Sequence, residues 1–298
     1  MPTGLEVITA VTTPFTDSGE LDLPAARRLF ALLTATTGGM FVAGTAGEFP
    51  ALEDGERLAL VEAALAEAGP AHVIAHVGAP DARHARRLAA AAVAAGARRL
   101  AAITPYYLPA EPAEVTAYYR EIAAAADGGE LYAYLYPERT GVGVTPVQLA
   151  SLAAECGLTG AKLSGSAGAA LGEYAAAAPA GFRLYTGRDD EMPRAAETGI
   201  AGVVSGLSSA FPELFARLAR ALAAGQAAEG ADAQAAVLRI CAAGCTTAHL
   251  KYALSLRGVT GRAARMTAGT VDERSAAAIA DLVAKLVPAQ ATTAPPAR

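Results

Sequence analysis

Short apolar runs rich in β-branched and aromatic residues alternate with longer segments whose charges recur at helical spacing, through the first two thirds of the chain. Each short run is bounded by glycine or proline, which is typical of buried strands. This pattern predicts strands over residues 7–11, 40–43, 73–76, 100–104, 131–136, 160–163, 183–186 and 202–205. The alanine-rich segments between them predict helices, among them 54–67, 81–95, 113–125, 146–154 and 190–198.

Alternation of eight strands with helices predicts an α/β protein built as a (β/α)8 TIM barrel, because parallel strands need crossover connections and eight of them close. A doubly wound open sheet is the alternative. That fold normally carries a Gly-x-Gly-x-x-Gly turn after the first strand, where this sequence has Thr12-Thr13-Pro14. The barrel is therefore the preferred fold.

After residue 205 the pattern is helical only, over residues 213–224, 231–255 and 272–286. We expect a barrel over residues 1–207 and a C-terminal helical extension over 208–287. The tail over residues 288–298 is rich in Ala, Thr and Pro, which predicts disorder.

Composition excludes several functional classes. Hydrophobic residues make up 53% and charged residues 18%, with a mean hydropathy of +0.30, so the chain can form a large core. A net charge of −5 argues against a nucleic-acid partner or an anionic membrane. Charges, glycines and prolines interrupt each apolar run before the roughly 18–20 residues that a membrane span needs. Three cysteines and an N-terminus without a signal-peptide pattern predict a cytoplasmic protein without a disulfide framework.

Lysine is scarce, since only Lys162, Lys251 and Lys285 contribute to the 24 basic residues. Lys162 lies in the predicted strand 160–163 among small and apolar residues, where its ammonium group would be poorly solvated. Poor solvation favours the neutral amine, which attacks carbonyl carbons. We interpret Lys162 as a nucleophile, and the alternative is a lysine that reaches solvent at the strand end. Lys251 and Lys285 lie in helical patterns and are interpreted as surface residues.

Other candidate groups follow neighbouring strands, whose carboxyl ends carry the active site in barrels of this kind. The Gly-Thr-Ala-Gly-Glu sequence at 44–48 predicts a turn whose backbone N–H groups can hold a carboxylate, with the Thr45 hydroxyl available for proton transfer. The alternative is a tight turn that simply needs glycine. At 106 and 107 two adjacent tyrosines should point to opposite sides, so one can enter the site while the other packs, and the alternative for either is aromatic packing at the barrel rim.

The next strand places Tyr132, Tyr134 and Tyr136 on one face, and their hydroxyls would need polar partners, expected at the top of the barrel. Arg139 follows and offers a forked donor to a carboxylate, or alternatively pairs at the surface with Glu138.

Three further groups are interpreted as structural. His72 and His76 fit core or rim positions, since no carboxylate lies nearby in the sequence. Cys241 and Cys245, one helical turn apart, are interpreted as buried small hydrophobic residues. The acidic run at 189–191 is interpreted as a helix N-cap and first turn.

Four motifs in register resemble the dihydrodipicolinate synthase / N-acetylneuraminate lyase family of class I Schiff-base aldolases and lyases. They are Gly44-Thr45-Ala46-Gly47-Glu48, Pro105-Tyr106-Tyr107, Tyr134-Leu135-Tyr136-Pro137-Glu138-Arg139-Thr140-Gly141 and Gly160-Ala161-Lys162. The resemblance extends over residues 5–286, and it implies the same barrel with C-terminal helices.

The resemblance also implies a reaction. Lys162 would form an imine with pyruvate or another 2-oxo acid, which then adds to an aldehyde or releases one, without a metal or organic cofactor. Tyr134, Thr45 and Tyr107 would move protons, with Tyr107 reaching in from a neighbouring subunit of a homodimer or homotetramer. The implied substrate-binding residues are Thr45, Ala46, Arg139, Gly187 and Val204.

Departures from the family pattern leave the substrate open. Ala46 removes a hydroxyl from the turn, and Leu135 makes its motif similar to 2-keto-3-deoxy sugar-acid aldolases. The sequence Gly-Glu-Phe-Pro at 47–50 is similar to 4-hydroxy-2-oxoglutarate aldolases, whereas Arg139 matches the synthases. The Arg-x-Pro segment usual in the synthases appears as residues 262–267, Arg-Ala-Ala-Arg-Met-Thr. The alternatives are therefore an aldolase paralogue, a non-catalytic barrel that binds a 2-oxo acid, and a metal-dependent aldolase.

Overall fold

The computed structural model describes residues 5–288, in which eight parallel strands form a closed barrel in sequence order. The prediction of a (β/α)8 barrel is confirmed, and each predicted strand agrees with the structure within one residue at either end. The strands are β1 Glu6–Ala10, β2 Gly39–Val42, β3 Val73–His76, β4 Arg99–Ile103, β5 Glu130–Leu135, β6 Gly160–Leu163, β7 Arg183–Thr186 and β8 Gly202–Ser205. Pairing of β1 with β8 closes the barrel.

Helices connect the strands and cover the outside of the barrel. The helices between β1 and β8 are α1 Leu23–Thr34, α2 Asp54–Ala68, α3 Ala82–Ala94, α4 Pro112–Ala125, α5 Pro137–Thr140, α6 Pro146–Cys156, α7 Ser166–Ala169, α8 Leu171–Ala177 and α9 Met192–Glu197. Local sequence defines several starts: α2, α4 and α6 begin with capping boxes, in which the N-cap and N3 side chains each bind the other residue's backbone N–H. The five predicted helices agree with the structure within two residues.

Between residues 208 and 288 the structure has four helices, α10 Pro212–Ala223, α11 Ala227–Ala243, α12 Thr247–Leu256 and α13 Glu273–Leu286. The prediction of one continuous helix over 231–255 is wrong. Gly244 has φ +135°, and the imidazole of His249 lies where a Cβ at this position would project. The helix therefore ends before Gly244, and α12 begins at Thr247.

The predicted division at residues 207 and 208 stays a prediction. Of the predicted tail over 288–298, only Pro288 lies within the described residues. No helix over residues 5–288 is both long enough and apolar enough to cross a membrane.

A polar network fills the amino-terminal end of the barrel. Arg99 and Arg183 form ion pairs with Glu6 and Glu130, which are contributed by the first residues of β1 and β5. The Tyr132 hydroxyl donates to Glu130 at 2.6 Å, so its partner lies at this end and not at the top as expected. Ion pairs therefore line the amino-terminal end, whereas barrels of this kind carry their active site at the carboxyl end of the strands.

Candidate active site

Lys162 projects from β6 into the barrel interior, between Tyr134 on β5 and Tyr185 on β7 in the strand register. Its side chain is 7% exposed. The Nζ atom lies 4.1 Å from the centre of the Tyr134 ring and 4.9 Å from that of Phe41. Within the described residues Nζ forms no hydrogen bond and no ion pair, which leaves the amine available to a ligand.

Tyr134 and Thr45 form a hydroxyl pair beside Lys162. The Tyr134 side chain is fully buried, and its Oη lies 3.2 Å from the Oγ1 atom of Thr45, which follows β2. Either oxygen can donate the hydrogen, so the pair can pass a proton in both directions. Two strands that are distant in the sequence thus bring together two of the predicted proton-transfer residues.

The turn at residues 44–47 is held in an unusual backbone conformation. Ala43 before it has φ +55° and Glu48 after it has φ +57°, values uncommon for residues other than glycine. The Thr13 hydroxyl donates to the Gly47 carbonyl at 2.7 Å and fixes the end of the turn. Within the described residues, the backbone N–H groups of Thr45 and Ala46 donate to no protein acceptor. These N–H groups are free to bind a carboxylate.

His76 on β3 fixes the start of the same turn. Its Nδ1 donates to the Ala43 carbonyl at 2.9 Å, and its Nε2 accepts from the Ile103 backbone N–H at 3.2 Å. These two bonds require the neutral imidazole with its proton on Nδ1. Burial lowers the pKa of His76 well below its usual range, which favours that form. The interpretation of His76 as a core residue is confirmed, whereas His72 is exposed.

Arg139 lies on the short helix α5 at the edge of a cavity of about 210 Å³ that adjoins Thr45. The guanidinium is exposed and lies 5.6 Å from the Tyr136 ring centre. The expected alternative pairing with Glu138 is not observed, because Glu138 accepts the backbone N–H of Ser166 at 2.7 Å. The cavity is lined by Thr45, Glu48, Phe49, Pro50, Ile103, Tyr106, Arg139, Thr140, Thr247, Met266, Thr267 and Ala268.

The remaining predicted site residues occupy different positions. Ala46 and Val204 pack with the side chains inside the barrel, and Gly187 follows β7, donating its N–H to the Leu163 carbonyl at 2.7 Å. Tyr107 is 92% exposed with φ +82°, and within the described residues it contacts neither Thr45 nor Tyr134. Tyr106, its neighbour, lines the cavity and packs edge-on against Phe49.

Asp189, which was predicted to lie at a helix N-terminus, is a half-buried residue whose carboxyl group lies near Lys162. Its Oδ1 is buried and has no hydrogen-bond partner in the described part of the chain. Burial raises the pKa of Asp189 to about 7, although the Ser205 hydroxyl, the Leu207 N–H and the positive charge of Lys162 oppose the rise. A pattern of three consecutive acidic residues gives no signal that a carboxyl oxygen of one of them is buried.

Lys251, like Asp189, has a position that the sequence did not predict. The prediction that it lies on a helix surface is wrong, because it is 1% exposed and its Nζ contacts the buried carboxylate of Glu48 at 2.5 Å. Cys245 is also misassigned, since it is exposed. The separation of Glu48 and Lys251 by 203 residues hides this pair from any local pattern.

A larger cavity, of about 680 Å³, lies between α9, α10 and α11 and includes none of the predicted site residues. Its lining is dominated by alanine and other apolar side chains. The convergent polar groups around Lys162 identify the candidate active site better than volume does.

Comparisons with known proteins agree with this geometry. The model of the dihydrodipicolinate synthetase family matches residues 4–286. Over 74% of this chain and 72% of the relative, the sequence is 37% identical to 4-hydroxy-tetrahydrodipicolinate synthase 1 of Streptomyces coelicolor. It is 34% identical to an uncharacterized DapA-like lyase of Halobacterium salinarum, over 94% of both chains.

Among solved structures, the chain resembles YagE, a prophage protein of the dihydrodipicolinic acid synthase family from E. coli K12, in complex with pyruvate. The TM-score is 0.86 at 26% identity, over 95% of this chain and 98% of YagE.

Proposed function

Since the chain belongs to the dihydrodipicolinate synthetase family and is a lyase of that family, we propose that it uses pyruvate or a related 2-oxo acid through a Schiff base on Lys162. The observation that carries the proposal is the Lys162 amine, buried between two aromatic rings without a hydrogen bond or ion pair in the described residues. Such an amine can attack a carbonyl carbon without first breaking a hydrogen bond to another group.

Imine formation uses the hydroxyl pair beside this amine. Lys162 Nζ attacks the keto carbon, and the resulting carbinolamine loses water as Tyr134 supplies the proton that the leaving hydroxide requires. The departing water carries that proton away, and Thr45, in contact with the Tyr134 hydroxyl, relays a replacement proton from solvent to Tyr134. The free N–H groups of Thr45 and Ala46 hold the carboxylate of the 2-oxo acid and orient its keto carbon toward Nζ.

The carbon–carbon bond forms after the imine. The protonated imine withdraws electrons, so a proton leaves the adjacent carbon and an enamine results. The enamine carbon attacks an aldehyde carbon, the aldehyde oxygen takes up a proton, and water then releases the product from Lys162. Run in reverse, the same steps cleave a bond and release pyruvate.

The second substrate is proposed to be a short aldehyde that carries a carboxylate. Arg139 is a cation on the cavity edge, and its forked donor suits a carboxylate. The cavity of about 210 Å³ is smaller than the roughly 300–1,000 Å³ typical of larger ligands, which supports a chain of few carbons.

We propose that the protein works as a cytoplasmic homo-oligomer, a dimer or tetramer. Tyr107 and Leu108 are 92% and 69% exposed at the tip of the loop after β4. A neighbouring subunit would cover these side chains, and the family resemblance implies that the Tyr107 hydroxyl then enters that subunit's site.

Borohydride trapping tests the central claim. Incubation with pyruvate and borohydride should add one reduced pyruvate to the protein, and peptide mapping should place it on Lys162. Lys162→Met should take up none, and Arg139→Ala should be trapped like the wild type while its KM for a carboxylated aldehyde rises at least tenfold. If the wild-type mass is unchanged after reduction, the Schiff-base proposal fails.

A further inference from the structure

Residues 263–268, called the strap here, are part of the connection between α12 and α13. They have no regular secondary structure. It lies against the carboxyl end of the barrel, where Met266, Thr267 and Ala268 line the cavity together with Arg139 and Thr45. One wall of the site therefore comes from a part of the chain that follows the barrel in sequence.

The buried carboxylate of Glu48 holds the inner side of the strap. Its Oε2 accepts the backbone N–H groups of Arg265 and Met266 at 2.8 and 2.7 Å, while its Oε1 contacts Lys251. Lys251 also donates to the Ala263 carbonyl at 2.6 Å. Glu48 follows the turn at 44–47 directly, so the strap and that turn share one anchor.

The side chain of Arg265 holds the outer side. Its guanidinium forms a bidentate pair with Glu56, with both N–O distances at 2.6 Å, and its Nε donates to the Gly19 carbonyl at 2.7 Å. The guanidinium carbon lies 4.4 Å from the centre of the Phe15 ring. Planar bidentate pairs fix geometry, so the strap is held to helix α2 and to the loop after β1 as well as to Glu48.

These contacts hold the backbone of Met266 in place in the lining of the cavity that Arg139 also lines. We infer that the strap forms the wall of the aldehyde subsite and that Met266 limits the length of the aldehyde chain between its reacting carbon and its carboxylate. This inference rests on the proposed function. The enamine on Lys162 sets the position of the reacting aldehyde carbon and Arg139 binds the carboxylate, so a longer chain needs more of the cavity that Met266 lines.

The test compares two aldehydes that differ by two methylenes, succinate semialdehyde and adipate semialdehyde, each with pyruvate. Met266→Ala should raise kcat/KM for the longer aldehyde relative to the shorter by at least about tenfold, the usual effect of a methylene-sized change in a pocket. Met266 is 41% exposed, so the variant should fold, as thermal unfolding will check. An unchanged ratio would overturn the inference.

A second set of variants tests the anchoring. Lys251→Met leaves Glu48 without its buried cation and should raise the aldehyde KM several-fold, with pyruvate still trapped on Lys162. Lys285→Met, at an exposed lysine paired with Asp281, is the matched control and should behave like the wild type. The double variant Glu48→Gln/Lys251→Met removes both charges and should recover part of the lost affinity, because glutamine can still accept the strap N–H groups.

The outcomes separate the two proposals. Failure of wild-type trapping by pyruvate overturns the proposed function. Normal trapping, combined with an unchanged aldehyde ratio in Met266→Ala or a wild-type aldehyde KM in Lys251→Met, overturns only the role of the strap.

Discussion

At the scale of single residues, two buried lysines differ in what they face. Lys162 has aromatic rings around its amine, whereas Lys251 contacts the Glu48 carboxylate and the Ala263 carbonyl. Burial lowers the pKa of Lys251, and the hydrogen bond to Glu48 opposes that change. A paired ammonium is a structural cation, and an amine without a polar partner is available for covalent chemistry.

Asp189 supplies a prediction about pH. Its pKa is about 7 in the folded protein against an ordinary 3.8, so between these values folding takes up a proton. The free energy of unfolding should therefore fall as the pH rises from 4 to 7, by at most about 1.4 kcal/mol per pH unit, and this contribution should level off above 7. Urea unfolding of the wild type and Asp189→Asn at several pH values measures the difference.

Asp190 provides the control for that experiment. Its carboxylate is exposed and paired with Arg188, whose hydrogen bond lowers the pKa of Asp190. Asp190→Asn should keep the wild-type slope between pH 5 and 7. Parallel stability profiles for the wild type and Asp189→Asn would contradict the assignment.

At the scale of elements, a strand or helix that is defined by a local sequence pattern could be predicted. Strands were found from apolar runs bounded by glycine or proline, because strands inside a parallel barrel are covered on both faces. The break between α11 and α12 was not found, since the alanine-rich sequence around Gly244 keeps a helical pattern. The decisive contact there is the His249 ring against Gly244, which depends on how the two helices pack.

Barrel closure depends on a glycine at the start of β8. Gly202 pairs with Glu6 on β1, and the Glu6 carbonyl oxygen lies where a Cβ on residue 202 would project. Gly202→Ala should force β1 and β8 apart and lower the free energy of unfolding by about 2–3 kcal/mol. Chemical denaturation measures the loss.

Gly206 is the control position for the Gly202→Ala substitution. A Cβ there would meet only the Leu250 Cδ1 at 3.7 Å, and the residue has a right-handed helical backbone. Gly206→Ala should unfold near the wild-type midpoint. Equal midpoints for the two variants would show that close approach at Gly202 does not limit closure.

At the scale of the whole molecule, the two ends of the barrel carry different groups of residues. Ion pairs among Glu6, Arg99, Glu130 and Arg183 occupy the amino-terminal end, and the strap bounds the site at the carboxyl end. Charge pairs thus occur at both ends, but the groups proposed to meet substrate lie at the carboxyl end.

Complementation between subunits tests the predicted assembly. Chains carrying Lys162→Met lack the nucleophile, and chains carrying Tyr107→Phe lack the hydroxyl that we propose enters a neighbouring site. A hybrid oligomer, purified through two different tags, should contain sites with both Lys162 and Tyr107, and should exceed the activity of either parent. Hybrids no more active than their parents would place Tyr107 outside the neighbouring site.

The amino-acid sequence by itself determined the barrel, the family resemblance and the choice of Lys162, because each depends on periodicity, on local turns or on short motifs at strand ends. Only the tertiary structure decided the partners of Lys251, the burial of Asp189 and the position of the strap. Glu48 and Lys251 are 203 residues apart, and their pairing exists because the chain returns from its C-terminal helices to the second strand. Periodicity reports which side of an element avoids water, whereas the partner of a buried charge is set by the path of the whole chain.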